Sequence, residues 1–508
     1  MLLAELVETV DAVAATRSRL TKINVLAGAL ERLEHSEIVP TVGFLVASPR
    51  QGRIGVGWRV LGGLLVEHAD EPTLTIGDLD EALGAIAEAS GAGSGAVRSK
   101  VLTGLAERAT EAEWDFVRRV ILGELRTGAL EGVLLDAIAR AAERPADAVR
   151  RAAMLSGDLG ATAHLALTGS AAELEAVGLV VGRAVMPMLA STAATAADAV
   201  TAVGEASVEY KLDGARIQVH RSGDDVRVFT RNLADITHRL PEVVEVVRAM
   251  PVTDVILDGE TLALDENDAP RPFQDTMARF GAEAARETIL HPWFFDVLHV
   301  DGRDLIDEPL RIRRDELGRI APAHRIPGVV TSDPVIAERL SDDALAAGHE
   351  GVVIKAIDSP YAAGRRGASW IKVKPVHTFD LVVLAAEWGY GRRTGLLSNL
   401  HLGARDETGD FGGGWVMVGK TFKGLTDSML AWQTERFQEL AVRETPGTVW
   451  LPPEIVVEIA IDGVQRSTRY PGGLALRFAR VKRYRDDKRP DDADTIQTLR
   501  TMLKGGRG

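Results

Sequence analysis

The stretch VEYKLDGARIQVH, residues 208–220, decides how the chain is read. Apolar and polar residues alternate on both sides of Asp213-Gly214, which predicts two short strands joined by a turn. Lys211 closes the first strand, with Glu209 before it and Arg216 beyond the turn. A lysine at a strand end is ordinarily a solvated cation. It becomes a nucleophile only when neutral, and its ordinary pKa is about 10.4. Neighbouring cations or a metal, in a partly dry cleft, lower that value. What matters is therefore which later residues converge on Lys211.

At 508 residues the chain has room for three or four domains of ~150 residues each. Apolar residues at 46% and charged residues at 26% match an ordinary globular protein. The opening MLLAELVETVDAVAATRSRL carries acidic residues and no basic leader, which argues against a signal peptide. No apolar run reaches the length of a membrane span, so a cytoplasmic location is expected and no membrane partner. There is no cysteine, which excludes disulfides, thiol nucleophiles and thiolate metal sites. Any metal should be hard, Mg²⁺ or Mn²⁺, beside a phosphate substrate. The net charge of −14 disfavours nucleic acid as a partner of the chain as a whole. Basic residues are nevertheless clustered: RFARVKRYRDDKR (477–489) holds seven against two acidic ones, and GRRGASWIKVK (364–374) holds four and none.

The pattern divides the chain in three. Residues 1–190 repeat apolar residues at three and four, which predicts an all-α domain of helix–turn–helix units. Residues 191–378 switch to period two, in DVRVFTRN, DVILDGETLAL, WFFDVLHVDG and GVVIKAI, with helical stretches such as LPEVVEVVRAM between them. This predicts an α+β domain with largely antiparallel sheets. Residues 379–508 carry short strands, Gly-rich turns and one helical stretch, DSMLAWQTERFQEL, which predicts a small β-barrel of OB-fold type.

Within the middle region, Arg231 ends the strand after Arg216, LDGETL supplies Glu260, and HEGVVIK supplies Glu350 and Lys355. Lys372 and Lys374 are two apart and share a strand face. Glu350 and Lys355 are five apart and cannot share a face of a regular strand. Gly351 must therefore let Glu350 turn in from the strand mouth. One candidate nucleophile, two carboxylates and several fixed cations suit phosphoryl chemistry at a nucleotide α-phosphate.

In order and wording these pieces resemble the covalent nucleotidyltransferases, and among them the ATP-dependent DNA ligases. KLDGAR is similar to the family's first motif, K-x-D-G-x-R. LDGE, FFDVLHVDG, EGVVIK and WIKVK resemble the following motifs in the family's order, and RYRDDK resembles the last, R-x-D-K. TRSRLTKINVLAGAL and ILGELRTGALEGVLLDAIARA are similar to the helical DNA-binding domain of archaeal and nuclear-type ligases. MPMLA (186–190) resembles the entry to their catalytic domain, and VGKTFKGLTD their OB domain.

The resemblance implies a ligase that seals 3′-hydroxyl/5′-phosphate nicks in duplex DNA during replication, repair or recombination, with ATP as AMP donor and Mg²⁺ or Mn²⁺. It implies that Lys211 attacks the α-phosphate and that Glu209 recognises adenine or the ribose side. Arg216 and Arg231 would contact sugar and phosphates, Glu260 the ribose or metal, and Phe295 would stack on adenine. Phe294 could not then share that face. Glu350 would bind metal, and Lys355, Arg366, Lys372 and Lys374 would surround the phosphates. Arg485, Asp487 and Lys488 would act on pyrophosphate when the OB domain closes. On the DNA side, Arg126 and the amides of a helix start would hold backbone phosphates. A monomer is expected, and no protein partner is evident. NAD-dependent ligases are disfavoured, since their cysteine zinc module cannot be built here. RNA ligases and capping guanylyltransferases remain rivals, against which the long helical region argues. A non-catalytic nick-binding clamp is disfavoured by the intact Lys211, Glu260, Glu350, Lys372 and Lys374.

Overall fold

The computed structural model describes residues 1–503, apart from residues 53, 65, 126–130, 267–268, 272–273, 278–288, 363–365 and 391–392 and the side chains of residues 58, 59 and 366. From Leu3–Ala15 to Ala171–Glu175 the described chain is helical. Several of these helices start on caps visible in the sequence. Thr75 with Asp78 and Thr110 with Glu113 form reciprocal capping boxes. After Thr110, Trp114, Phe116, Val117 and Val120 fall on one buried stripe. These stripes pool into one core running from Leu3 to Leu174.

Two five-stranded sheets follow. The first orders β1 (Leu189–Thr192), β10 (Arg366–Val373), β9 (Gly351–Ala356), β2 (Ala206–Lys211) and β8 (Gly328–Thr331). The second orders β4 (Asp225–Thr230), β3 (Ala215–Ser222), β5 (Asp254–Ala263), β6 (Leu290–Val300) and β7 (Arg303–Asp304). All pairings are antiparallel except β1 with β10. MPMLA thus ends in a strand, an element the sequence reading did not foresee, before helix Ala196–Val203.

Strand alternation sets what lies between the sheets. In the first sheet Ala206, Val208, Val352, Ile354, Ile371 and Val373 pack under helices Ala196–Val203 and Pro334–Ala346. Their neighbours Ser207, Glu209, Lys211, Lys355, Trp370 and Lys372 therefore line the opposite face. In the second sheet Ile217, Val219, Val255 and Leu257 pack under helix Pro241–Arg248. This leaves Arg216, Gln218, Ile256 and Asp258 on the other face. A register shift between Asp258 and Gly259 in the β5–β6 pairing follows at the level of Glu260. Phe294 joins the core beneath the second sheet, while Phe295 lies with Trp370 and Tyr361 on the far side.

The C-terminal region is built on β11 (His377–Trp388), which pairs with β12 (Leu397–Asp406), β15 (Thr448–Trp450) and β16 (Val456–Ile461). β13 (Gly414–Thr421) continues from β12, β14 (Arg443–Thr445) from β15, and β19 (Arg480–Tyr484) from β16. β17 (Gly463–Arg466) and β18 (Leu474–Arg477) form a separate hairpin. The seven-stranded sheet curls around Leu430 and Phe437 of helix Asp427–Glu439. No backbone ladder joins β13 to β19 among the described residues, so a half-barrel replaces the closed barrel expected from the sequence. β11 pairs with β16 along His377–Val382 and with β15 along Ala385–Glu387, and its ladder with β12 shifts register at Val383/Ala385 and Glu387/Trp388.

Candidate active site

Lys211 is the last residue of β2, where its carbonyl accepts from Glu350 N at 2.9 Å. Its ammonium donates to Glu350 Oε2. Gly351 has φ +135, and a Cβ there would stand 2.3 Å from Val373 O. Only glycine fits, and its backbone swings Glu350 out of the strand line toward Lys211. That resolves the five-residue spacing.

Burial pulls Lys211 down, but Glu350 first, then Glu260 and Asp213, outweigh it and hold the ammonium above the ordinary lysine range. The sequence argument expected cations to depress this lysine. The structure brings carboxylates instead. Asp213 is neutralised by Arg477 of β18, through bonds of 2.7 and 3.0 Å. Glu260 is different: among the described residues its side chain makes no hydrogen bond, and burial pushes its carboxyl up to about 7, only partly offset by Lys211 and Arg216. Two carboxylates acting on one site, one of them without a hydrogen-bond partner, suit a hard cation. Mg²⁺ takes one or two protein carboxylates and keeps waters or phosphate oxygens elsewhere. Among the described residues no group of three or more His, Asp or Glu forms a closed metal cage.

Deeper between the sheets the charges are matched. Glu209, 2% exposed, accepts from Ser207 Oγ at 2.7 Å and Arg314 Nη1 at 3.1 Å, and lies 2.6 Å from Lys355 Nζ. Lys355 sits over the rings of Phe295 and Trp370, at 4.4 and 4.3 Å, and donates to Phe295 O at 3.1 Å. It is 2% exposed, whereas the sequence reading expected it beside Lys372 and Lys374 around the phosphates. Its register opposite Ser207 and Trp370 turns it inward to Glu209 instead. Arg216 donates from Nε and Nη2 to Asp258 at 3.0 and 2.7 Å, and from Nη1 to Met188 O at 2.7 Å. Burial lowers its pKa, but Asp258 outweighs that and raises it. Its guanidinium lies 5.4 Å from the Phe295 ring and 6.0 Å from that of Trp370.

The remaining sequence candidates divide. Lys372 shares the inner face, while Lys374, just past β10, donates to Asp462 Oδ2 at 2.6 Å, with Arg480 on Oδ1 at 3.0 Å. Arg231 is exposed in the turn after β4 and, among the described residues, makes no hydrogen bond or ion pair with this cluster. Arg485 pairs with Asp487 at 2.7 and 2.6 Å and with Asp380 at 3.2 and 3.1 Å; Lys488 donates to Asp380 at 2.5 Å. These three residues therefore face their own sheet rather than Lys211. Arg126 and the Arg366 side chain lie outside the described residues. Sequence reasoning missed Asp258, Arg314, Tyr361, Asp462 and Arg477. Asp258, inside LDGE, and Arg477, the first residue of the basic run 477–489, lay within stretches that had drawn notice.

Three family models match the chain: the DNA ligase N terminus over residues 65–139, the ATP dependent DNA ligase domain over 187–374, and the ATP dependent DNA ligase C terminal region over 393–488. A probable DNA ligase of Pseudarthrobacter chlorophenolicus is 68% identical over 506 residues, 99% of this chain and 100% of that one. The chain belongs to the ATP-dependent DNA ligases. A probable DNA ligase of Rhodococcus jostii is 58% identical over 99% of this chain and 100% of its own. The solved structure Pmar-Lig_PreS3, at 20% identity, shares the fold with a TM-score of 0.64, over 94% of this chain and 99% of that one. The cleft between the two five-stranded sheets falls within the matched ligase domain, and the Asp380–Arg485 group stands outside it. Among the described residues, no helix of this ligase is long and apolar enough to cross a membrane.

Proposed function

We propose that this ligase seals nicks in duplex DNA in three steps, with Lys211 as the nucleophile. Lys211 Nζ, once deprotonated, attacks the α-phosphate of ATP; a P–N bond forms and pyrophosphate leaves. The 5′-phosphate at the nick then attacks the lysyl-AMP phosphorus, which frees Lys211 and caps the DNA end with AMP. The 3′-hydroxyl finally attacks that 5′-phosphate and expels AMP. One observation carries the reading: a lysine and two carboxylates, one of them without a hydrogen-bond partner among the described residues, meet at the edge of a cleft whose interior is otherwise charge-matched.

Glu350 and Glu260 would hold Mg²⁺ or Mn²⁺, which neutralises charge on the phosphate oxygens. Glu350 engaged in that way releases its hold on Lys211, which favours the neutral amine. Phe295 offers a ring for the base and Glu209 an acceptor, while Arg216, Lys372 and Lys374 offer charge for sugar and phosphates. Arg485, Asp487 and Lys488 would act on pyrophosphate only after the C-terminal unit turns, because Asp380 holds two of them. We read the half-barrel as an OB-fold, the domains as 1–190, 191–378 and 379–508, and the enzyme as a cytoplasmic monomer.

The test is ATP labelled at the α-phosphate, given with Mg²⁺ and no DNA. The expected result is an acid-labile label on the wild type, absent from Lys211→Ala. A wild type that takes no label, or takes it only from GTP, would sink the reading. Sealing of nicked DNA but not nicked RNA duplexes separates it from an RNA ligase. Sealing should also fall steeply as salt rises.

A further inference from the structure

Tyr361 belongs to none of the residues assigned above, yet its hydroxyl stands where three segments cross. It is 2% exposed and packs edge-on against Trp370, with ring centroids 5.8 Å apart at 88°. The hydroxyl donates to Asp258 Oδ2 at 2.6 Å and accepts from Met188 N at 3.0 Å, with Arg216 Nη2 at 3.4 Å. Arg216 Nη1 donates to Met188 O at 2.7 Å, so both backbone groups of Met188 are committed to this junction. The sulfur of Met188 accepts from Ala362 N at 3.4 Å.

The strap that carries Met188 also reaches the helical region. Met186 N donates to Met154 O at 3.0 Å, and Met154 and Leu155 share an apolar cluster with Met188, Tyr361 and Trp370. Both lie in helix Ala146–Ser156, whose Arg151 forms a two-point ion pair with Asp307 at 2.7 and 2.6 Å. Arg216 is aimed by Asp258 and by a carbonyl on this strap. The tyrosine hydroxyl is the atom that fastens the strap to Asp258.

We infer that Tyr361 is a positioning residue for ATP: by tying the Met186–Met188 strap to Asp258 it aims the Arg216 guanidinium, and so links docking of the helical region to the nucleotide site. The inference rests on the Lys211 reading above. Without the hydroxyl, Met188 N loses its acceptor inside an apolar cluster, the strap carbonyl drifts, and Arg216 loses one of its fixed directions. Trp370 keeps its packing against the remaining ring.

The test uses the full-length Tyr361→Phe protein and self-adenylation by α-labelled ATP over a range of ATP concentrations. The apparent KM for ATP is expected to rise about tenfold with the maximal single-turnover labelling rate within about twofold, the scale of one hydrogen bond at a charged junction. A purely structural role would lower the maximal rate and would not confine the effect to the apparent KM. In an Arg216→Lys background, Tyr361→Phe should add less than about a twofold change, because the guanidinium it positions is gone. Should Tyr361→Phe fail to fold, Asp258→Asn keeps the shape of the junction, and the same rise in KM is expected. An unchanged KM in the folded variant, or an undiminished effect in the Arg216→Lys background, would overturn the inference. A labelled wild type with such results leaves the Lys211 reading standing, whereas an unlabelled wild type removes both.

Discussion

Two groups of charges occupy the facing surfaces of the same two sheets, and they are built on opposite terms. In the deep group Glu209 is shared by Lys355 and Arg314, and Asp296 is held by Arg313 with both side chains 0% exposed. At the strand ends Lys211 faces Glu350 and Glu260, and the Glu260 side chain has no hydrogen-bond partner among the described residues. In the deep group the charges are paired one against another. The edge group carries surplus negative charge, stored at a cost to stability, and that surplus is what a cation and a phosphate can use.

The largest expected effect lies in the deep group. Arg313→Met strands a buried Asp296 carboxylate and leaves Glu308 O without the donor Arg313 supplies, while Ser359 O keeps Leu310 N. It should cost about 3–5 kcal/mol in a urea melt. A loss under about 1 kcal/mol would mean that the deep pair is not architectural.

The edge group should respond with the opposite sign. Glu260 sits at about 7 in the folded state against an ordinary 4.5. Below pH 4.5 it is neutral in both states and costs nothing. Between these values the penalty grows with pH, and above 7 it is complete. Glu260→Gln should therefore stabilise the protein by about 3 kcal/mol at pH 8, a gain that vanishes toward pH 4.5. Self-adenylation should meanwhile fall on the order of a hundredfold. Thermal midpoints across pH check the first part and the labelled-ATP assay the second.

How far each group could be read from sequence follows the same division. Lys211, Glu260 and Glu350 sit in short stretches whose wording is distinctive, and period-two alternation put Phe295 on the face opposite Phe294. Gly351 was legible because five-residue spacing on a strand forbids what the chemistry requires. The partners that balance charge were not legible. Arg314 lies 105 residues from Glu209, Tyr361 lies 103 from Asp258, and Arg477 lies 264 from Asp213. Each looks locally like an ordinary helix, strand or loop residue, and only tertiary packing joins them. The same blindness reversed the expectation for Lys211: the sequence showed cations nearby, while the fold places carboxylates closest.

Two smaller effects sharpen the contrast. Glu350→Gln removes the strongest influence raising Lys211. In metal-free protein, Lys211 should then react with an acylating reagent at lower pH than in the wild type, read by peptide mass spectrometry; an unshifted profile would remove Glu350 from its role. Arg151→Ala, at a partly exposed pair with Asp307, should cost less than about 1 kcal/mol in a thermal melt. A larger loss would make that ion pair part of the architecture.

The most direct measurement is to incubate the full-length protein with ATP and Mg²⁺ without DNA, quench it, and map the modified peptide by mass spectrometry under conditions that preserve a phosphoramidate. The account predicts a single adenylyl group, on Lys211, discharged when nicked DNA is added. An adenylyl group on Lys355, Lys372 or Lys374 instead, or none on the wild-type protein, would contradict it.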